Sequence, residues 1–271
     1  MKTKFSILFS ILLSSIVFVA CTKDDVEPDP TAGLYKLGSG FALGAGAKVE
    51  LYTATPTITT GYQSFKIAVY DSITNTRIDD AHIHLTPTMD MGMMKHSAPY
   101  ENPASTLADH HLFNASVFFI MASMSGSWTL DISIHNHANG KSGKLTLPIT
   151  VAEPTKKRML SFTSAADNST VYFVSLAEPV TPKVGINNLE LVVYKKASMM
   201  SFPADSSLSI SFTPEMPTMG HSSPNNINPV HGGLGHYKGK VNYTMTGLWR
   251  LHFDFKAGAT LAKTDSLDIE F

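Results

Sequence analysis

The chain repeats itself. Lys48-Val49-Glu50-Leu51-Tyr52-Thr53-Ala54-Thr55-Pro56 returns, with one residue of slip, as Thr170-Val171-Tyr172-Phe173-Val174-Ser175-Leu176-Ala177-Glu178-Pro179. Gly61 precedes Phe65-Lys66-Ile67-Ala68-Val69-Tyr70, and Gly185 precedes Leu189-Glu190-Leu191-Val192-Val193-Tyr194. Each half then carries a methionine- and histidine-rich segment, a later histidine (His111, His236) and a Met-x-Gly-x-Trp, at Met124 to Trp128 and Met245 to Trp249. Landmarks recurring in one order at similar spacing mean two copies of one unit. The copies span 33–153 and 158–271, joined by Glu153-Pro154-Thr155-Lys156-Lys157-Arg158. Each must therefore close its own core within roughly 110 residues.

Short alternating runs fill each copy. Val49, Leu51 and Thr53 alternate with polar neighbours, as do Phe65, Ile67 and Val69; Leu208, Ile210 and Phe212; and Leu251, Phe253 and Phe255. Period two means strands with one buried face. Pro, Gly, Asn and Asp clusters separate the runs, and no sustained helical stripe follows the N-terminal segment. About seven short strands per copy predict an all-β chain of two tandem immunoglobulin-like β-sandwich domains. A small closed barrel is the alternative. Trp128 and Trp249 are expected to fill the space between sheets. The Gly-rich stretch from Gly33 to Gly46 lacks a Lys-Ser or Lys-Thr ending, so it reads as a lead-in or an edge strand, not a phosphate loop. Met199-Met200 reads as a surface turn.

The first residues form a targeting segment. Lys2 and Lys4 precede an apolar run, Phe5 to Ala20, that ends in Val19-Ala20-Cys21. This resembles a bacterial lipoprotein signal: residues 1–20 are removed, Cys21 carries the lipid, and the acidic, Pro-rich stretch within 21–32 serves as a tether. An uncleaved span is the alternative, at the short end for crossing a bilayer. Lys23-Asp24-Asp25 resembles the surface-export signal of Bacteroidota lipoproteins. The expected place is the cell envelope, at the outer membrane or the cell surface, with the membrane a partner through Cys21. Cys21 is the only cysteine, which excludes an intramolecular disulfide, a thiolate metal site and a cysteine nucleophile. A net charge of −1 with no long basic run argues against nucleic acid as a partner.

The chemistry-bearing residues lie in the Met/His segments. The first reads Thr86-Pro87-Thr88-Met89-Asp90-Met91-Gly92-Met93-Met94-Lys95-His96-Ser97-Ala98-Pro99, the second Thr213-Pro214-Glu215-Met216-Pro217-Thr218-Met219-Gly220-His221-Ser222-Ser223-Pro224. Thioether sulfur is soft and uncharged and favours Cu(I), while imidazole accepts either copper state. Flanking prolines and glycines suggest loops that gather Met89, Met91, Met93, Met94 and His96 around one point, with His110-His111 completing the shell. In the second copy the candidates are Met216, Met219 and His221, approached by His231 and His236 from a Gly-rich loop. Met124 and Met245 either turn their sulfur toward these loops or pack on the tryptophan ring. The bland alternative is methionine as gap-filler or adaptable surface. His82 with His84, and His135 with His137, share strand faces at i, i+2 spacing. That suits a metal, and it also suits a solvated sheet face. His252 reads as solvent-facing.

No Gly-x-Ser-x-Gly elbow or His-Glu-x-x-His is present, and Asp90 and Glu215 form no acid/base pair, so an enzyme is not expected. Met216-Pro217-Thr218-Met219-Gly220-His221, Gly235-His236-Tyr237 and Met245-Thr246-Gly247-Leu248-Trp249-Arg250 resemble the YtkA-like and FixH-like domains of bacterial envelope proteins. The first copy departs from the pattern: Asp90 follows its first Met, extra residues precede His96, and Leu112 follows His111. The resemblance implies immunoglobulin-like sandwiches linked to copper handling. The expected role is copper capture, buffering or delivery, with a copper-transport or copper-enzyme assembly partner. The competing expectation is a surface tandem sandwich that binds a macromolecule or glycan without metal.

Overall fold

A computed structural model describes residues 28–271. The predicted signal peptide, Cys21 and most of the tether lie outside the described residues. The chain is all-β, two immunoglobulin-like sandwiches in tandem, with two single-turn 3₁₀ helices at Leu43–Ala45 and Ser123–Ser125. In the first copy the strands are β1 (Tyr35–Ala42), β2 (Ala47–Thr53), β3 (Ile58–Thr59), β4 (Gly61–Asp71), β5 (Ala81–Asp90), β6 (Lys95–His96), β7 (Tyr100–Glu101), β8 (Phe113–Phe119), β9 (Ser127–Asn136), β10 (Lys141–Ile149) and β11 (Val151–Ala152). In the second they are β12 (Met159–Thr163), β13 (Val171–Glu178), β14 (Gly185–Lys195), β15 (Leu208–Met216), β16 (His221–Ser222), β17 (Ile227–Gly233), β18 (His236–Tyr243), β19 (Leu248–Ala257) and β20 (Thr260–Glu270).

Each sandwich pairs a five-stranded with a four-stranded sheet. The orders are β1-β2-β4-β8-β7 over β10-β9-β5-β6, then β12-β13-β14-β18-β17 over β16-β15-β19-β20. β1, from the Gly-rich stretch, is an edge strand. Period-two side chains explain the layering: in β9, Trp128, Leu130, Ile132 and Ile134 point inward, while in β19 Trp249, Leu251, Phe253 and Phe255 do so. Each fully buried aliphatic or aromatic side chain contributes roughly 1.5–3 kcal/mol. β4 and β14 both open on a glycine in the left-handed region, Gly61 (φ 105°) and Gly185 (φ 102°), which is why both copies place glycine there.

The sandwiches dock through their five-stranded sheets. Phe118, Phe173, Val192 and Tyr194 form a buried cluster between them. Phe118 meets Phe173 edge-on at 6.4 Å and Tyr194 at 6.2 Å between ring centres. The Tyr62 N–H donates to Ser175 Oγ at 2.8 Å. Above the cluster, Glu101 accepts from Tyr62 Oη (2.7 Å), Tyr194 Oη (2.6 Å) and His236 Nε2 (2.7 Å). His236 Nδ1 meets Glu190 at 2.7 Å, with Lys238 Nζ 3.6 Å from the same carboxylate. Hydrogen bonds with Glu101 lead the causes that raise the His236 pKa above 6.5, against the opposing effect of burial. Burial pushes Glu101 upward, but the hydrogen bonds from His236, Tyr194 and Tyr62 outweigh it and leave its pKa below 4.5.

The joining segment is tied at both ends. β11 pairs in parallel with β3, and Thr60 Oγ1 donates to Glu153 at 3.1 Å. Arg158 Nη2 donates to the carbonyls of Leu176 and Pro179 at 3.0 and 3.1 Å. One further strut crosses between copies: the Ser97 N–H donates to the Met199 carbonyl at 2.9 Å, at the exposed turn expected there.

Candidate functional site

The two Met/His segments fold as hairpins, which corrects the expectation of loops gathering Met89, Met91, Met93, Met94 and His96 around one point: strand alternation buries Met89 and His96 and leaves Met93 and Met94 at the exposed tip. Met89 pairs with His96 across β5 and β6, and Met216 pairs with His221 across β15 and β16. In the first hairpin Asp90 Oδ1 accepts from the Gly92 N–H at 2.8 Å, and Lys95 closes on Asp90 at 2.8 Å. In the second, the Met219 and Gly220 N–H groups donate to the Met216 carbonyl at 3.0 and 2.9 Å. A serine after each histidine fastens the short return strand. Ser97 Oγ donates to the Pro87 carbonyl at 2.7 Å, and Ser222 Oγ to the Pro214 carbonyl at 2.6 Å.

Each pair lies against the domain tryptophan. Met89 is directly opposite Trp128 in the ladder. The His96 ring stands edge-on to Trp128 at 5.3 Å, and His221 to Trp249 at 6.2 Å. Met89 and Met216 are buried, and His96 is only 2% exposed. The glycine of Met-x-Gly-x-Trp makes room for the buried thioether: a Cβ on Gly126 would lie 3.1 Å from Met89 Cε, and one on Gly247 2.7 Å from Met216 Cε. The Gly126 Cβ would also lie 2.5 Å from the Asp90 carbonyl oxygen, which is backbone and cannot swing away. Gly126→Ala is therefore expected to lift the first hairpin and destabilise the protein by about 1–3 kcal/mol, read from thermal denaturation. An unchanged midpoint would refute the close fit.

Hydrogen bonding sets the imidazole tautomer. His96 Nδ1 lies 2.8 Å from the Ser97 carbonyl oxygen, and His221 Nδ1 lies 3.3 Å from that of Ser222. A carbonyl only accepts, so the proton of the neutral ring is on Nδ1 and Nε2 keeps a lone pair. His96 Nε2 is buried and has no hydrogen-bond partner among the described residues. Buried polar atoms rarely go unpaired, and each such atom needs an explanation.

Register identifies a methionine that the spacing overlooked. Phe119 and Tyr243 both pack on the domain tryptophan, with ring centres 5.2 and 5.5 Å away. Two residues further on, the Met121 carbonyl accepts from Trp128 Nε1 at 2.9 Å and the Met245 carbonyl from Trp249 Nε1 at 3.0 Å. Met121, not Met124, is thus the counterpart of Met245. Met121 and Met91 pack against the same core cluster that contains Met89. The first copy has three more residues before its tryptophan, which form the 3₁₀ turn bearing the solvent-exposed Met124. Counting forward from the aromatic rather than back from the tryptophan would have found Met121.

The remaining candidates lie elsewhere. Met93, Met94 and Met219 project from the hairpin tips into solvent. His111, His231 and His236 belong to the five-stranded sheets or their turns, not to the Met/His hairpins. His111 Nδ1 meets Asp79 at 2.6 Å. His231 stacks edge-on to Tyr237 at 5.2 Å and accepts from the Gly235 N–H at 3.4 Å. Both ring nitrogens of His236 are engaged by carboxylates, so neither offers a lone pair. The matching of His111 with His236 also shifts by one residue. Phe113 faces Ile67 and Tyr237 faces Leu191, each the seventh residue of its strand, so the counterpart of His236 is the buried Leu112.

Among the described residues no three His, Cys, Asp or Glu side chains surround one point, so a donor set at the hairpins draws on sulfur. No protein-family model matches the chain, and no curated protein matches it. Among solved structures, the chain is similar to domains 5–6 of the S-layer protein SbsC, with a TM-score of 0.30 and 11% identity over 88% of this chain and 97% of that one. It is also similar to the D00–D0 domain of Intimin, with a TM-score of 0.25 and 12% identity over 82% of this chain and 100% of that one. A three-immunoglobulin structure of titin domains I67–I69 aligns with a TM-score of 0.19 and 10% identity over 79% of this chain and 61% of that one.

Proposed function

We propose that each sandwich takes up a copper ion, as Cu(I), at the hairpin beneath its tryptophan, and that the protein captures, buffers or delivers copper at the cell envelope. The observation that carries this reading is the buried lone pair on His96 Nε2, across the hairpin from the buried Met89 thioether. A histidine ligand ordinarily donates its second ring nitrogen to a carbonyl or carboxylate, as His96 and His221 do. Met91 and Met121, which pack against the core cluster containing Met89, and Met245, whose carbonyl holds the Trp249 indole, are the further candidate sulfurs. Thioether and neutral imidazole without carboxylate suit a soft monovalent ion and facilitate release to a copper-transport or copper-enzyme assembly partner. Cys21 would hold the protein at the outer membrane.

The test is a titration of the purified full chain with Cu(I) against a chromophoric competitor. Two ions per chain are expected. His221→Gln, at a half-exposed position that tolerates change, should weaken one of them at least about tenfold, or 1.4 kcal/mol. A chain that takes no Cu(I) from the competitor would sink the proposal. A second reading, contact with a macromolecule or glycan, is favoured by the outward-facing Met93, Met94, Met124 and Met219, whose flexible side chains suit adaptable apolar contacts. That reading requires no copper.

A further inference from the structure

The outer face of the four-stranded sheet in the first copy carries a second histidine group, unconnected with the hairpins. His82 on β5 lies directly opposite His135 on β9, and His137 follows just past the end of β9. His137 is anchored twice to one residue: its N–H donates to the Asp80 carbonyl at 3.3 Å, and its Nδ1 lies 2.7 Å from Asp80 Oδ1. A carboxylate accepts, so the proton is on Nδ1 and His137 Nε2 keeps its lone pair. That nitrogen points at His82 Nδ1, 3.3 Å away. The His135 ring lies 5.4 Å from that of His137 and is steadied by Ser142 Oγ at 2.8 Å from its Nδ1.

The separation is informative. Two nitrogens bound to a tetrahedral zinc ion at about 2.0–2.1 Å stand about 3.3–3.4 Å apart. The Asp80–His137 pair supplies the carboxylate–histidine arrangement that orients zinc ligands. The fold itself does not demand these residues. Counting from the buried methionine and the tryptophan, the second copy has Ser209, Lys256 and Gly258 where the first has His82, His135 and His137, and Ser207 in place of Asp80. Ser209 still faces Lys256 in the same register. His84 is committed elsewhere, with its Nδ1 2.8 Å from Asn102.

We infer that the first sandwich binds a zinc-class divalent cation through His82 Nδ1 and His137 Nε2, with His135 swinging in as third ligand and Asp80 as the positioning residue. Now a proton sits between His82 and His137. On binding, His82 takes the tautomer with its proton on Nε2, and the cation occupies the space between the two lone pairs. The nitrogen-only protein donor set separates this site from the sulfur-bearing hairpins.

The test uses the full chain with Zn(II) alone against a chromophoric chelator, and with Co(II) as a spectroscopic probe. One zinc per chain and tetrahedral Co(II) visible bands are expected. His82→Gln, His135→Gln and His137→Gln should each abolish the bands. Asp80→Asn should retain them with affinity about 10–100-fold weaker. His221→Gln should leave zinc binding unchanged, so that failure here is distinct from failure of the copper reading. These side chains lie on an outer strand face, and a circular dichroism melt checks that each variant folds. Absence of stoichiometric zinc, or zinc retained by the His82→Gln, His137→Gln double variant, overturns the proposal. Unchanged affinity in His135→Gln overturns its three-histidine form.

Discussion

Trp249→Ala is expected to be the most damaging single substitution in the second sandwich. The indole is fully buried, packs against Tyr243 at 5.5 Å, and donates from Nε1 to the Met245 carbonyl at 3.0 Å. Truncation leaves a cavity that a sandwich held by cross-strand ladders closes poorly, at a cost of about 3–5 kcal/mol. The Met245 carbonyl loses its donor as well, which adds about 1 kcal/mol. The calorimetric midpoint should fall by about 10 °C or more, whether the copies unfold together or apart. Trp249→Phe keeps an apolar ring and should lose less than half as much. A fall of only about 2 °C in Trp249→Ala would show that the indole is not the anchor of this core.

The second large effect is on docking between the sandwiches, and it depends on pH. The His236 pKa is raised, so the contribution of its protonated form is complete below the ordinary value of 6.5 and is lost as pH climbs through the raised value. Glu101 behaves oppositely. Its pKa is lowered, so its contribution is complete above the ordinary value of 4.5 and is lost as pH falls through the lowered one. Docking should be tightest between 4.5 and 6.5 and should slacken on the alkaline side. Breaking a fully buried ion pair costs about 3–5 kcal/mol. His236 and Glu101 keep 18% and 23% of their side chains exposed, so His236→Gln should cost less, about 2 kcal/mol. Hydrogen exchange at the Tyr62 amide, which bonds across the boundary, provides the readout. After division by the intrinsic base-catalysed rate, protection of this amide should fall on the alkaline side; His236→Gln should erase that fall, and protection that stays constant from pH 6.5 upward in the native chain would refute the clamp.

Much of the fold was legible because each strand alternates, and because the second copy repeats the pattern of the first. The docking was not read, although its signature was present. Tyr172-Phe173-Val174 on β13, Val117-Phe118-Phe119 on β8 and Leu191-Val192-Val193-Tyr194 on β14 are apolar on both faces, which is how a strand covered on both sides reads. The Met/His segments stand out by composition, but their hairpin register was not visible. Hence Met89 and Met216 were expected in loops and are buried. The match of His111 to His236 failed by one residue, and one residue is enough to turn a strand side chain to the opposite face.

The strut to the Met199 carbonyl starts from the N–H of Ser97, the residue whose own carbonyl holds His96 Nδ1. The posture of that imidazole is thus braced in part by the neighbouring sandwich. Whatever pries the halves apart removes one of the ties on the short strand carrying His96, so a partner acting on the seam would reach a nitrogen it never touches.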